Sequence, residues 1–86
     1  MKLNKDFILH ISGEEAVLVP TGKAKFSGVV RGNKTLGAVL ELLRKETSEE
    51  EIAAALKARF DAPEDVIVRD VERALDGLRK IGALDE

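Results

Sequence analysis

His10 is the one imidazole in a chain of 86 residues, and so the first candidate for acid–base chemistry. A general base needs a group to orient it and a pocket to hold its substrate. No Asp or Ser stands at a spacing that supplies the first, and the neighbours Leu9 and Ile11 place His10 on the outward side of a strand. The chain has no Cys. That removes a thiolate nucleophile, a thiolate zinc site and a disulfide framework together. Glu49-Glu50-Glu51 sets three carboxylates side by side in sequence. Successive helical residues point about 100° apart, so the three diverge instead of converging on a metal. Asp61, Glu64 and Asp65 surround Pro63 without the acidic twelve-residue pattern of a calcium loop, and read as turn and capping residues. Gly28, Gly32 and Gly37 are not followed by the Gly-Lys-Ser/Thr of a phosphate loop. The expectation is a protein with no catalytic residue, no metal ligands and no cofactor.

Composition narrows the partner as well. Fourteen Lys and Arg stand against sixteen Asp and Glu, a formal charge of -2. Nucleic acid demands a concentrated positive surface. The third helix expected below would expose Arg69, Arg73, Arg79 and Lys80, but interleaved with Asp70, Glu72 and Asp76. No nucleic-acid partner is therefore expected, although a winged-helix DNA-binding or structural protein stays open as the alternative. Hydrophobic residues make up 44 % of the chain, enough for a core. They are scattered: Phe7-Ile8-Leu9 is far short of the roughly 20 apolar residues of a membrane span. It is also too short for the core of a signal peptide. A cytoplasmic protein with no membrane partner is expected.

The elements that would position any site fall into two halves. Residues 1–34 carry six basic and three acidic residues, and residues 35–86 carry eight and thirteen. The hydrophobic period changes at the same place. Phe7, Leu9 and Ile11 alternate with Ile8 and His10, predicting a strand over about 7–11. Ser12-Gly13-Glu14-Glu15 reads as a turn of about four residues, and a second strand follows over about 16–20. A third, weaker strand is expected over about 26–31. From Leu36 onward the spacing is helical: Leu36, Val39, Leu40 and Leu43 form one stripe. Three helices are predicted, over about 34–45, 48–60 and 64–82. Asn33 or Thr35 can cap the first, Ser48 with Glu51 the second, and Gly82 can end the third. The whole, 1–86, reads as a single α+β domain: a three-stranded antiparallel sheet followed by a three-helix bundle, winged-helix-like.

One feature of that layout suggests binding. A three-stranded sheet has two edges, and soluble proteins guard edges with charge, proline or a covering element. Ser27-Gly28-Val29-Val30 has none of these in its middle, although Lys25 and Arg31 flank it. An extended peptide could add there as a further strand. The same edge could instead be covered by the chain's own loop or make a weak homodimer.

Several segments bear on this. They are Val17-Leu18-Val19-Pro20, Asn33 opening the first helix, Thr47-Ser48-Glu49-Glu50-Glu51-Ile52 with Leu56 and Phe60 in the second, Asp70-Val71 and Leu78 in the third, and Gly82-Ala83-Leu84 at the end. In this order and spacing the chain, from about Leu3 to Leu84, resembles the PqqD family of coenzyme PQQ synthesis, whose fold is also the recognition element for ribosomally made, modified peptides. Gly32 stands where that family commonly has an apolar residue, and Ala38-Val39-Leu40 where an aromatic is often found. The resemblance implies a non-catalytic adaptor that binds the leader of a precursor peptide as an added strand and presents it to a modifying enzyme, of the radical SAM type in the PQQ case. It implies a peptide site between the third strand and the third helix. Carried onto this chain, that is Ser27, Gly28, Val29, Val30 and Arg31 on the strand, and Asp70, Arg73, Ala74, Gly77 and Ile81 on one flank of the helix. The opposite flank, through Val68 and Leu75, stays open. A monomer or weak homodimer is expected.

Overall fold

The structure is a computed structural model that describes residues 1–13, 15–24 and 28–86. The chain runs β1 (Lys2–Leu3), β2 (Phe7–Ser12), β3 (Glu15–Pro20), β4 (Val30–Gly32), α1 (Lys34–Leu42), α2 (Glu49–Arg59), α3 (Glu64–Lys80) and β5 (Leu84–Asp85). The strands β2, β3 and β4 form an antiparallel sheet in that order, and the three helices pack on one side of it. The architecture is the expected α+β one.

Register explains which residues enter the core. Leu9, Leu18 and Val30 lie opposite one another, as do Ile11, Ala16 and Gly32. Side chains directly opposite share a face, so these two rows and Phe7 point toward the helices. Leu18 and Ala16, in the middle strand, are buried, as is Phe7. The alternate rows, Ile8 with Val19 and His10 with Val17 and Arg31, form the outer face. His10 is exposed there, as its place in the alternation requires.

Helix α1 is the centre of the molecule. Ala38, Val39, Leu40 and Leu43 are all buried, between the sheet and the other two helices. Ile52 and Leu56 of α2 and Ile67, Val71, Leu75 and Leu78 of α3 complete the core. Burying a side chain of this size contributes about 1.5–3 kcal/mol. Gly37 allows α1 to come close to β3: a methyl placed on it would lie 3.2 Å from the Cβ of Ala16.

The helix ends follow the local chemistry. The Asn33 side chain accepts from the Leu36 N–H at 3.1 Å, so Asn33, not Thr35, is the cap of α1. Ser48 Oγ accepts from the Glu51 N–H at 3.2 Å and donates to its carboxylate. After α3, Gly82 takes a φ of +75°, which favours glycine, and two bonds close the helix: Gly82 N–H to Arg79 C=O and Ala83 N–H to Leu78 C=O. That pair ends α3 at Lys80 and drops Ala83 into the core.

Outside the third strand, three features differ from expectation. The hairpin is tighter, with Ser12 still paired to Glu15. Helix α1 stops at Leu42, because Leu43 takes up a capping role. Most consequential, residues near the two ends of the chain pair with each other: Lys2 opposite Asp85 and Leu3 opposite Leu84. The Leu3 N–H also donates to the Leu43 carbonyl, and the Asn4 N–H to that of Ala83, both at 2.7 Å. The Met1 amine is ion-paired with Glu46 and donates to the Thr47 carbonyl, which ties this end to the α1–α2 turn. Strands of two residues carry no periodic signal, so the pairing leaves no mark in the sequence.

Candidate functional site

The site begins with an edge. Strand β4 is an outer strand of its sheet, paired only to β3 among the described residues. Among the described residues it begins at Val30 and reaches Gly32, further along the chain than expected; Phe26, the first residue of the expected strand, lies outside the described residues. Val30, Arg31 and Gly32 form it, while Gly28, with φ +115°, and Val29 precede it. Ser27 lies outside the described residues. The middle of the edge carries a charge, since Arg31 points to the outer face and pairs with Glu15 at 3.7 Å. Val30 points inward and packs against the core, and Val29 is 53 % exposed.

Gly32 shows why no side chain stands there. A methyl on it would lie 2.3–2.8 Å from three side-chain atoms of Leu36. The leucine thus fills the space that an apolar residue at position 32 would use.

The helical wall comes from α3. Its buried residues Ile67, Val71, Leu75 and Leu78 form the core stripe. On one flank of that stripe lie Asp70, Ala74, Gly77 and Ile81, with Arg73 at the margin. Ala74 and Ile81 are half-buried against the core, and Asp70, Arg73 and Gly77 are exposed. Two cavities show where this flank faces. Asp70 shares one of about 250 Å³ with Thr35, in the first turn of α1. Ile81 shares another, of about 210 Å³, with Lys23 and Ala24, in the segment before β4. The stretch that contains β4, from Ala24 to Thr35, therefore has both its ends beside this flank. The flank through Val68 turns the other way: Val68 lines a cavity with Glu49, Glu50 and Ala53 of α2, and Leu75 is fully buried.

Between the two cavities α3 presents little bulk. An added methyl on Gly77 would meet nothing within 4 Å. From Asp70 to Ile81 the helix rises about 16 Å, the reach of about five extended residues. The arrangement leaves an outer strand edge and an uncrowded helix surface at Gly77 among the described residues. Among the described residues it brings together no acid, base and nucleophile. No group of three or more His, Cys, Asp or Glu that could hold a metal ion exists among the described residues, and no described helix is long and apolar enough to cross a membrane.

The exposed surface of α3 is mixed in charge. Arg79 is held by Asp76 and Glu86, leaving Arg69, Arg73 and Lys80 interspersed with Asp65, Asp70 and Glu72. Thr35, Lys23 and Ala24 also line the two cavities beside this flank, though no periodic or motif signal marks them. They do so only because the fold brings them beside α3.

Comparison with known proteins bears on this arrangement. The family model of coenzyme PQQ synthesis protein D (PqqD) matches residues 15–84. No curated protein matches the sequence. Among solved structures, one described as TbiB1 in complex with the TbiA(beta) leader peptide superimposes with a TM-score of 0.84 at 20 % identity. The match covers 99 % of this chain and 95 % of that one, and establishes a shared fold.

Proposed function

The chain belongs to the PqqD family, and on that premise we propose that it is a non-catalytic adaptor that binds the leader of a ribosomally made precursor peptide. The leader adds as a strand to the edge formed by Val30, Arg31 and Gly32, and Ser27, Gly28 and Val29, which precede these residues in the sequence, contribute to the same site. Its side chains lie over Ala74, Gly77 and Ile81. Arg31 and Arg73 stand at the rim, where charges tune partner choice more than affinity. The protein presents the leader to a peptide-modifying enzyme, of the radical SAM type if the pathway is that of PQQ.

The observation that carries this reading is the pairing of an open edge with a bare helix flank at Gly77. Main-chain hydrogen bonds need no particular side chain on the receiving strand, which fits a site built from Val, Gly and Ala. The structural relative was solved with a leader peptide bound, which supports the same reading. The surface of α3 argues against the DNA-binding alternative, because its acids would face phosphate.

The test is a titration with the leader segment of a precursor peptide encoded beside this gene, followed by amide chemical shifts. Shifts are expected at residues 28–32 and along Asp70–Ile81. Shifts confined to β2, or spread evenly, would overturn the reading. Pull-down of the neighbouring modifying enzyme only when the leader is present would support the presenting role.

A further inference from the structure

The cavity at the Asp70 end has a chemistry of its own. Its walls are Leu56, Phe60, Ala62 and Ile67, and at its rim stand Thr35 and two carboxylates, Asp61 and Asp70. Both aspartates are exposed, and neither forms an ion pair or a side-chain hydrogen bond among the described residues. The nearest basic residues in sequence do not answer them. Arg59 stacks over the Phe60 ring, 5.7 Å from its centre, and lines a different cavity. Arg69, adjacent to Asp70, and Arg73, one turn beyond it, pair with no carboxylate among the described residues. Apolar walls rimmed by unpaired negative charge fit a side chain whose hydrocarbon stem lies on the apolar surface and whose cationic head stays at the rim.

We propose that this cavity selects a lysine or arginine of the bound peptide. The inference rests on strand addition at β4 and adds a side-chain requirement to it. The geometry also fixes where the basic residue lies. Strand β4 runs toward Thr35, and α3 runs back from Asp70 toward Ile81, beside Ala24. Every strand pair among the described residues is antiparallel. A peptide that continues the pattern enters at the Asp70 end and leaves at the Ile81 end. Its inward side chains recur at every second residue. The basic residue therefore precedes, by two positions, the side chain that rests over Ala74 and Gly77.

The probe is a phage-displayed library of random short peptides, selected on the full chain. Selected peptides that shift the amides of β4 and α3 are expected to carry a lysine or arginine two positions before an apolar residue. Replacing that lysine by norleucine keeps the stem and removes the charge. Affinity should then fall about three- to fivefold, the upper range for an exposed ion pair. In the doubly substituted Asp61→Asn/Asp70→Asn protein the same replacement should cost nothing. Both aspartates are exposed, so the variant folds, and its amide spectrum verifies this. Peptides that dock on β4 without a basic preference, or a norleucine cost unchanged in the double variant, overturn this inference and leave strand addition standing. Selected peptides that dock elsewhere, or no selected peptides, overturn both.

Discussion

Arg79 and Glu86 are joined by two parallel hydrogen bonds, Nε and Nη2 each 3.0 Å from a different oxygen of the carboxylate. Asp76 accepts a third from Nη1. The bonds to Glu86 raise the pKa of Arg79. The bond from Arg79 holds the Glu86 carboxyl below the ordinary carboxylate range. The folded pKa of Glu86 thus lies below the unfolded one, so its contribution to stability is complete above the unfolded value. That contribution is lost as pH falls through the folded value. The pair is exposed, so its effect on the whole fold is small. Acid titration followed by the amides of Leu84 and Asp85 should show β5 loosening in the acid range, and Glu86→Gln should remove that transition at neutral pH and below.

Gly32 and Gly77 should respond in opposite senses to alanine. At position 32 the methyl meets Leu36 Cβ as well as the end of its side chain, so a rotamer change alone does not relieve the overlap. Gly32→Ala should destabilise by about 1–3 kcal/mol. At position 77, mid-helix and open, Gly77→Ala should stabilise by about 0.5–1 kcal/mol. Thermal unfolding separates them, since 1 kcal/mol moves the midpoint by about 4–8 °C in a domain of this size.

The open space at Gly77 predicts a second, opposed effect. Gly77→Leu projects a large side chain from the flank that is proposed to receive the peptide. The protein should keep its fold, because nothing within 4 Å obstructs even a first methyl. Peptide affinity should fall at least tenfold by calorimetry, the equivalent of about 1.4 kcal/mol. Wild-type affinity in this variant would remove α3 from the site.

The caps offer a measure of how much the helix starts contribute. Ser48→Ala removes the acceptor for the Glu51 N–H, and Asn33→Ala the one for Leu36. Each should cost about 1 kcal/mol in urea unfolding, with the slope unchanged. Asn33 directly follows β4, so Asn33→Ala should also weaken peptide binding, whereas Ser48→Ala should not.

Much of the fold is legible in the amino-acid sequence, because the signals are local. Ile52 and Leu56, or Ile67, Val71, Leu75 and Leu78, recur at helical spacing wherever the chain is folded. Ser48 with Glu51 marks a helix start for reasons confined to one turn. The strand edge lies further along than its residues suggest. Gly28-Val29-Val30 has strand-like composition, while Gly28 takes a positive φ that delays pairing until Val30. The candidate helix flank follows from a helical wheel, and a wheel does not distinguish it from the Val68 side as the face toward β4.

The order of β2–β4 and α1–α3, the core stripes and the helix-start signals follow from residue type and short-range spacing, and so are written in the chain itself. Three further features exist only once the chain is folded. Leu3 pairs with Leu84, a contact between strands too short to announce themselves. The Asp70–Ile81 flank turns toward the segment around β4, with Val68 against α2. Asp61 and Asp70 stand around one apolar cavity with Thr35. These are long-range juxtapositions, governed by how α1 sits between sheet and helices, and no local pattern encodes them.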